Sequence, residues 1–187
     1  MLSPSEYLLT KLSEEAVEVA HVAFSSGISI TDDSLNEFKS EVNDLLGVLT
    51  MLPHIGVPIY PSKNEISLNQ NASLNCTFSA GFSLIGFSAL KVAKLCNKFI
   101  IFGTETKKVG STTHDLKTLK DELTDLLSLV STLANKLNIS DLCCPTQQDE
   151  KRQKIVKYLK FSHDNNAISY RDSLILLRIN ARLSKKR

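Results

Sequence analysis

Apolar residues recur at steps of three and four along most of this chain, the period of helices that bury one face. Leu8, Leu9, Leu12, Ala16, Val19, Ala20 and Ala23 keep that spacing until Gly27 interrupts it. The run opens on Ser3-Pro4-Ser5-Glu6: Ser3 is the expected N-cap, Pro4 suits the first helical position, and Glu6 closes a capping box. A second helix is predicted from about residue 34 to residue 52, with Leu35, Phe38, Val42, Leu45, Leu46, Leu49 and Leu52 facing inward and Pro53 and Gly56 ending it. Residues 57–80 hold two prolines and many Asn and Ser without any period, and read as a linker. Further helices are predicted over about 83–101 (stopped by Gly103), over 113–137, from near Asp149, and around 169–183. No segment alternates as a strand would. The predicted fold is an all-α bundle, a single domain over 1–187 with C-terminal helices over about 149–187.

The pattern also repeats. A shift of 81 residues lays Leu35, Lys39, Glu41, Asp44, Leu45, Leu46 and Leu52 on Leu116, Lys120, Glu122, Asp125, Leu126, Leu127 and Leu133, all identities within an 18-residue window. Phe38 falls on Leu119 and Val42 on Leu123, so the apolar stripe is kept. A shift of 76 lays the first helix on the third, with Gly27 on Gly103. Repeat 1 spans about 4–56 and repeat 2 about 83–140.

Chemistry enters with the carboxylates. Glu14, Glu15 and Glu18 lie on the first helix, and Glu41 and Asp44 on the second, at spacings that put acidic groups on one helical face. Carboxylates that face one another repel unless neutralised, and the usual partner is a hard divalent cation. In the second copy Glu14 becomes Leu90, Glu15 becomes Lys91 and Glu18 becomes Lys94, while Glu122 and Asp125 remain. Two ammonium groups opposite two carboxylates are expected to replace a metal by salt bridges, a degenerate second site formed by Lys91, Lys94, Glu122 and Asp125.

Glu14-Glu15-x-x-Glu18 followed by Glu41-x-x-Asp44, with the flanking KLSEE and DLLGVLTML segments and a later KRQKIVKYLKFS helix, resembles the all-α nucleoside triphosphate pyrophosphohydrolases, which include MazG and the dimeric dUTPases. The resemblance covers roughly residues 5–163 and implies a MazG-like bundle of two repeated hairpins. It implies magnesium-dependent hydrolysis of a nucleoside triphosphate to the monophosphate and pyrophosphate, with manganese able to substitute for magnesium. By motif match, Glu15, Glu18, Glu41 and Asp44 would be metal ligands, and Glu14 a further ligand or the group that orients water. The catalytic pair implied is thus Glu14 and Glu15. Lys11, Lys154 and Tyr158 are candidates for phosphate contact, although an ordinary ion pair accounts for Lys11 equally well. Many relatives are single-copy oligomers; a duplicated chain would be a monomeric pseudo-dimer or a homodimer.

Composition narrows the alternatives. The 187 residues are 42% hydrophobic and 22% charged, the make-up of a folded globular chain. Aromatics at 6%, no Trp and a net charge of +2 argue against stacking platforms or a polyanionic partner, so nucleic acid is not expected. The basic tail of Arg178, Arg182, Lys185, Lys186 and Arg187 reads as a solvated helix end rather than a nucleic-acid arm. Cys76, Cys96, Cys143 and Cys144 lack zinc-ligand spacing. Glu6 and Lys11 interrupt any signal-peptide run and nothing reaches transmembrane length, so no membrane partner and a cytoplasmic location are expected. His21 and His54 read as surface and loop residues. The rival reading is a catalytically decayed scaffold that keeps the bundle and binds nucleotides or proteins.

Overall fold

The computed structural model describes residues 2–62, 76–102, 116–139 and 142–165, with positions 174, 178 and 181 beyond them. The described residues form helices α1 (Pro4–Ile28), α2 (Asp32–Leu49), α3 (Phe78–Phe102), α4 (Leu116–Lys136) and α5 (Pro145–Asp164), with a 3₁₀ turn at Leu52–Ile55 and no strand among them. The all-α expectation holds. The sixth predicted helix falls largely outside the described residues.

Helix ends follow local chemistry. Ser3 accepts from the Glu6 amide and the Glu6 carboxylate accepts from the Ser3 amide, the predicted capping box. The starts of α2, α3 and α5 lie upstream of the predicted ones, and the predicted start of α4 at 113 falls outside the described residues. Thr31 and Ser34 form a reciprocal cap, so α2 begins at Asp32 with two acidic residues in its first turn, where the helix dipole favours them. The Thr77 hydroxyl accepts from the Ala80 amide, which starts α3 at Phe78, inside the stretch expected to be linker. Pro145 opens α5 as a first-turn proline, four residues before the expected start. After α2 the chain tightens into the 3₁₀ turn and leaves it through Gly56 at φ 83°, a left-handed position that favours glycine.

Helices α1 and α2 pack as one hairpin and α3 and α4 as another, with α1 and α3 side by side between them. Their direction is antiparallel: Gly27 approaches Phe82, Gly86 approaches Phe24, and the Ser13 hydroxyl donates to the Ala93 carbonyl at 3.3 Å. A continuous core runs through both hairpins, from Leu8, Leu12, Val19 and Ala23 to Phe82, Ala89, Val92 and Leu126. Phe38 and Phe82, both fully buried, meet edge to face at 5.3 Å between ring centroids and join α2 to α3. Val57 and Ile59 dock the first part of the 57–62 segment onto this core.

Helix α5 leans on α2, and this contact fixes the site. Buried Asn43 donates to the carbonyls of Lys39 (2.8 Å) and Leu142 (2.9 Å), and accepts from the Cys144 amide (2.7 Å) and the Gln148 amide group (3.2 Å). Gln147 donates to both the Ser40 carbonyl and its hydroxyl. Gly47 lets the helices close: a Cβ there would stand 3.0 Å from the Gln148 carbonyl and 3.1 Å from the Lys151 Cβ. Gly47→Ala is therefore expected to push α5 outward and lower stability by about 1–3 kcal/mol, the usual cost of overpacking, despite alanine's better helix propensity. Denaturant unfolding of the variant measures it, and a stabilised variant would contradict the close approach.

Candidate functional site

Glu15 and Glu18 on α1 and Glu41 on α2 each place a carboxylate oxygen within 4.8 Å of the other two. The sequence sets this up, since one helical turn separates Glu15 from Glu18 and both face the α2 stripe that carries Glu41. The burial is graded: Glu15 is 2% exposed, Glu41 is half-buried and Glu18 faces solvent. The cluster thus opens to the outside on one side and rests on the core on the other.

Asp44 joins this group through a residue that sequence reasoning did not single out. The Lys151 ammonium, on α5, lies 2.7 Å from Glu15 Oε2 and 2.9 Å from Asp44 Oδ2. It donates an aligned hydrogen bond to Asp44, whereas the Glu15 contact is an ion pair, and that buried oxygen has no aligned hydrogen bond. Next to it, Arg152 is buried, donates to the Thr50 hydroxyl at 3.1 Å and pairs with Asp149.

The other sequence candidates separate. Glu14 points away from the cluster and pairs with Lys11 at 2.6 Å, the ordinary ion pair foreseen for that lysine. The Lys11 ammonium also stands 6.0 Å from the Tyr7 ring and 5.8 Å from the Tyr158 ring, so Lys11 and Tyr158 do come together. Burial, with Glu14 and Tyr158 nearby, pushes the Tyr7 hydroxyl up to about 12. Lys154 lines a cleft of about 430 Å³ together with Asp44, Ser40, Cys144, Thr146, Gln147 and Glu150. His21 and His54 are exposed. In the second copy Lys91 lies 3.8 Å from Glu122, a loose ion pair between an exposed lysine and a half-buried carboxylate; Lys94 and Asp125 are exposed.

Electrostatics express the crowding. Burial, and then the charges of Glu18 and Asp44, push Glu15 up to about 7 from the ordinary 4.5, although Lys151 pulls it down. Burial, Glu18 and Asp44 likewise push Glu41 up to about 7. Lys151 is raised above its usual range: burial works against its charge, but its bonds to Glu15 and Asp44 outweigh that. Between pH 4.5 and about 7 the native chain therefore holds more protons than the unfolded chain. Stability of the metal-free protein is expected to be greatest on the acidic side and to fall as pH rises through neutrality. Glu15→Gln should flatten that slope, and magnesium should restore the melting temperature at alkaline pH. A melting temperature of the metal-free protein that rises over this range would contradict the sign.

The donor set fits a hard cation. Three carboxylates share one volume, one of their oxygens is buried, and burial together with the neighbouring acids pushes two of the three above the ordinary carboxylate range, a cost that a bound cation would offset. No described helix is long and apolar enough to cross a membrane. No family model, curated protein or solved structure matches this chain.

Proposed function

We propose that this chain is a magnesium-dependent nucleoside triphosphate pyrophosphohydrolase, cleaving the α–β phosphoanhydride with water to give a nucleoside monophosphate and pyrophosphate. Such an enzyme would clear or balance nucleoside triphosphates. The observation that carries the reading is the convergence of Glu15, Glu18 and Glu41 within 4.8 Å, from buried Glu15 to solvent-facing Glu18. A triphosphate bears a charge near −4, and a carboxylate-lined site repels it unless cations stand between them. Magnesium supplies that bridge, withdraws charge from the phosphoryl oxygens and makes an attacking water more acidic.

The chain's own residues divide the remaining work. Glu15, Glu18 and Glu41 would hold the cation, and Asp44 completes the acidic wall while anchored by Lys151. Lys154 lies on the cleft beside Asp44, and Lys11 pairs with Glu14 and stands near the Tyr158 ring, one turn after Lys154 on α5. In this reading both would offer charge to phosphate oxygens. Glu14, 48% exposed at its side chain and tied to Lys11, stands outside the triad, so it would not be a ligand of the cation.

One observation favours a second reading, a binding scaffold without turnover. Lys151 neutralises Glu15 and Asp44 from within, as Lys91 does Glu122 in the second copy. Incubation with magnesium and a panel of ribo- and deoxyribonucleoside triphosphates separates the two. Equimolar monophosphate and pyrophosphate support the enzyme; bound nucleotide with no pyrophosphate from any of them supports the scaffold.

A further inference from the structure

Glu15 belongs to two groupings at once. With Glu18 and Glu41 it forms the carboxylate triad, and with Asp44 it brackets the Lys151 ammonium. A divalent ion at the ammonium's position would meet Glu15 and Asp44, and with a first ion in the triad the two would share Glu15, the pattern of paired-metal phosphoryl chemistry. We infer that the Lys151 ammonium takes the place of one of those ions, so that the cluster accepts a single divalent cation, held by Glu15, Glu18 and Glu41. The inference deepens the reading of the triad as a metal site and rests on it.

Three features of the fold support it. The ammonium is deep: the side chains of Lys151, Asp44 and Glu15 are 14%, 13% and 3% exposed, so its charge has exchanged water for these two carboxylates. It is delivered by a fixed element, because Asn43, Gln147, Arg152 and the close approach at Gly47 all hold the first turns of α5 against α2. The second copy also sets a lysine against a carboxylate, though loosely and with the lysine in solvent: Lys91 stands at the register of Glu15 and lies 3.8 Å from Glu122, at the register of Glu41. The consequence is chemical. An ammonium offers protons to phosphoryl oxygens but has no coordination position for water, so the triad is left as the only place in the cluster where water can be activated by a metal.

Manganese binding to the nucleotide-free protein tests this, counted by calorimetry and read by electron paramagnetic resonance. The wild type is expected to bind one ion with the spectrum of an isolated centre. Lys151→Ala and Lys151→Gln are expected to bind two, with a spin-coupled spectrum, and Lys151→Arg one. Two ions in the wild type, or one in folded neutral variants, overturns the inference while leaving the metal site standing. No ion in the wild type or in any variant overturns both. Should both neutral variants fail to fold, the wild-type count still decides between one ion and two.

Discussion

Glu41→Gln is expected to lower magnesium-dependent pyrophosphate release by at least ~100-fold, because even partners outside a metal's own ligand set cost 10–100-fold when removed. The change deletes one charge and one ligand oxygen while keeping shape and volume. Glu41 is half-buried beside Glu18 and away from the apolar stripe, so the fold should persist. Stability of the metal-free variant should even rise at alkaline pH, since burial and the charges of Glu18 and Asp44 no longer oppose an ionised group there. The same substitution at Glu122, its counterpart in the second copy, should leave turnover within about twofold: its only described ion-pair partner is Lys91 at 3.8 Å, and exposed pairs contribute ~1 kcal/mol or less. Steady-state rates for the two variants decide the matter. Equal losses at both positions would mean that the copies are not divided into a metal site and a salt-bridged remnant.

Phe38→Ala is expected to cost about 3–5 kcal/mol, a large share of the ~5–15 kcal/mol that holds a domain of this size. Phe38 has no exposed surface, and its edge-to-face partner Phe82 lies on the other hairpin, so truncation opens a cavity at the junction of the two copies. Phe38→Leu should lose less, because most of the volume remains. Denaturant midpoints followed by circular dichroism measure both. An alanine variant as stable as the parent would show that the hairpins are not joined through this contact.

The helices were legible because burial on one face imposes a period that needs no tertiary knowledge, and the start of α1 was legible to the residue because Ser3 and Glu6 sit in a local capping pattern, while its end runs past the expected stop at Gly27 to Ile28. Starts were missed where the cap was a lone threonine or a cysteine-proline step, as at Thr77 and Pro145. The acidic cluster was legible for the same reason as the helices: Glu15 and Glu18 stand about one turn apart on α1, as Glu41 and Asp44 do on α2, and the hairpin brings the two helices together. Choosing between Glu14 and Glu15 needed the rotation of α1. Adjacent residues point about 100° apart, and packing against α2 turns Glu15 inward and leaves Glu14 to Lys11. Lys151 was one of several basic residues on α5. Which of them faces Asp44 depends on where α5 begins and how Asn43 and Gly47 seat it, information carried by contacts about 100 residues apart in sequence.

The most direct test of the carboxylate triad as a cation site is anomalous diffraction from crystals of the protein soaked in manganese. The account predicts a peak bounded by Glu15, Glu18 and Glu41, with oxygen ligands at about 2.0–2.2 Å, and Lys151 still paired with Asp44. A map with no peak there, and Glu18 and Glu41 turned apart into solvent, would contradict it.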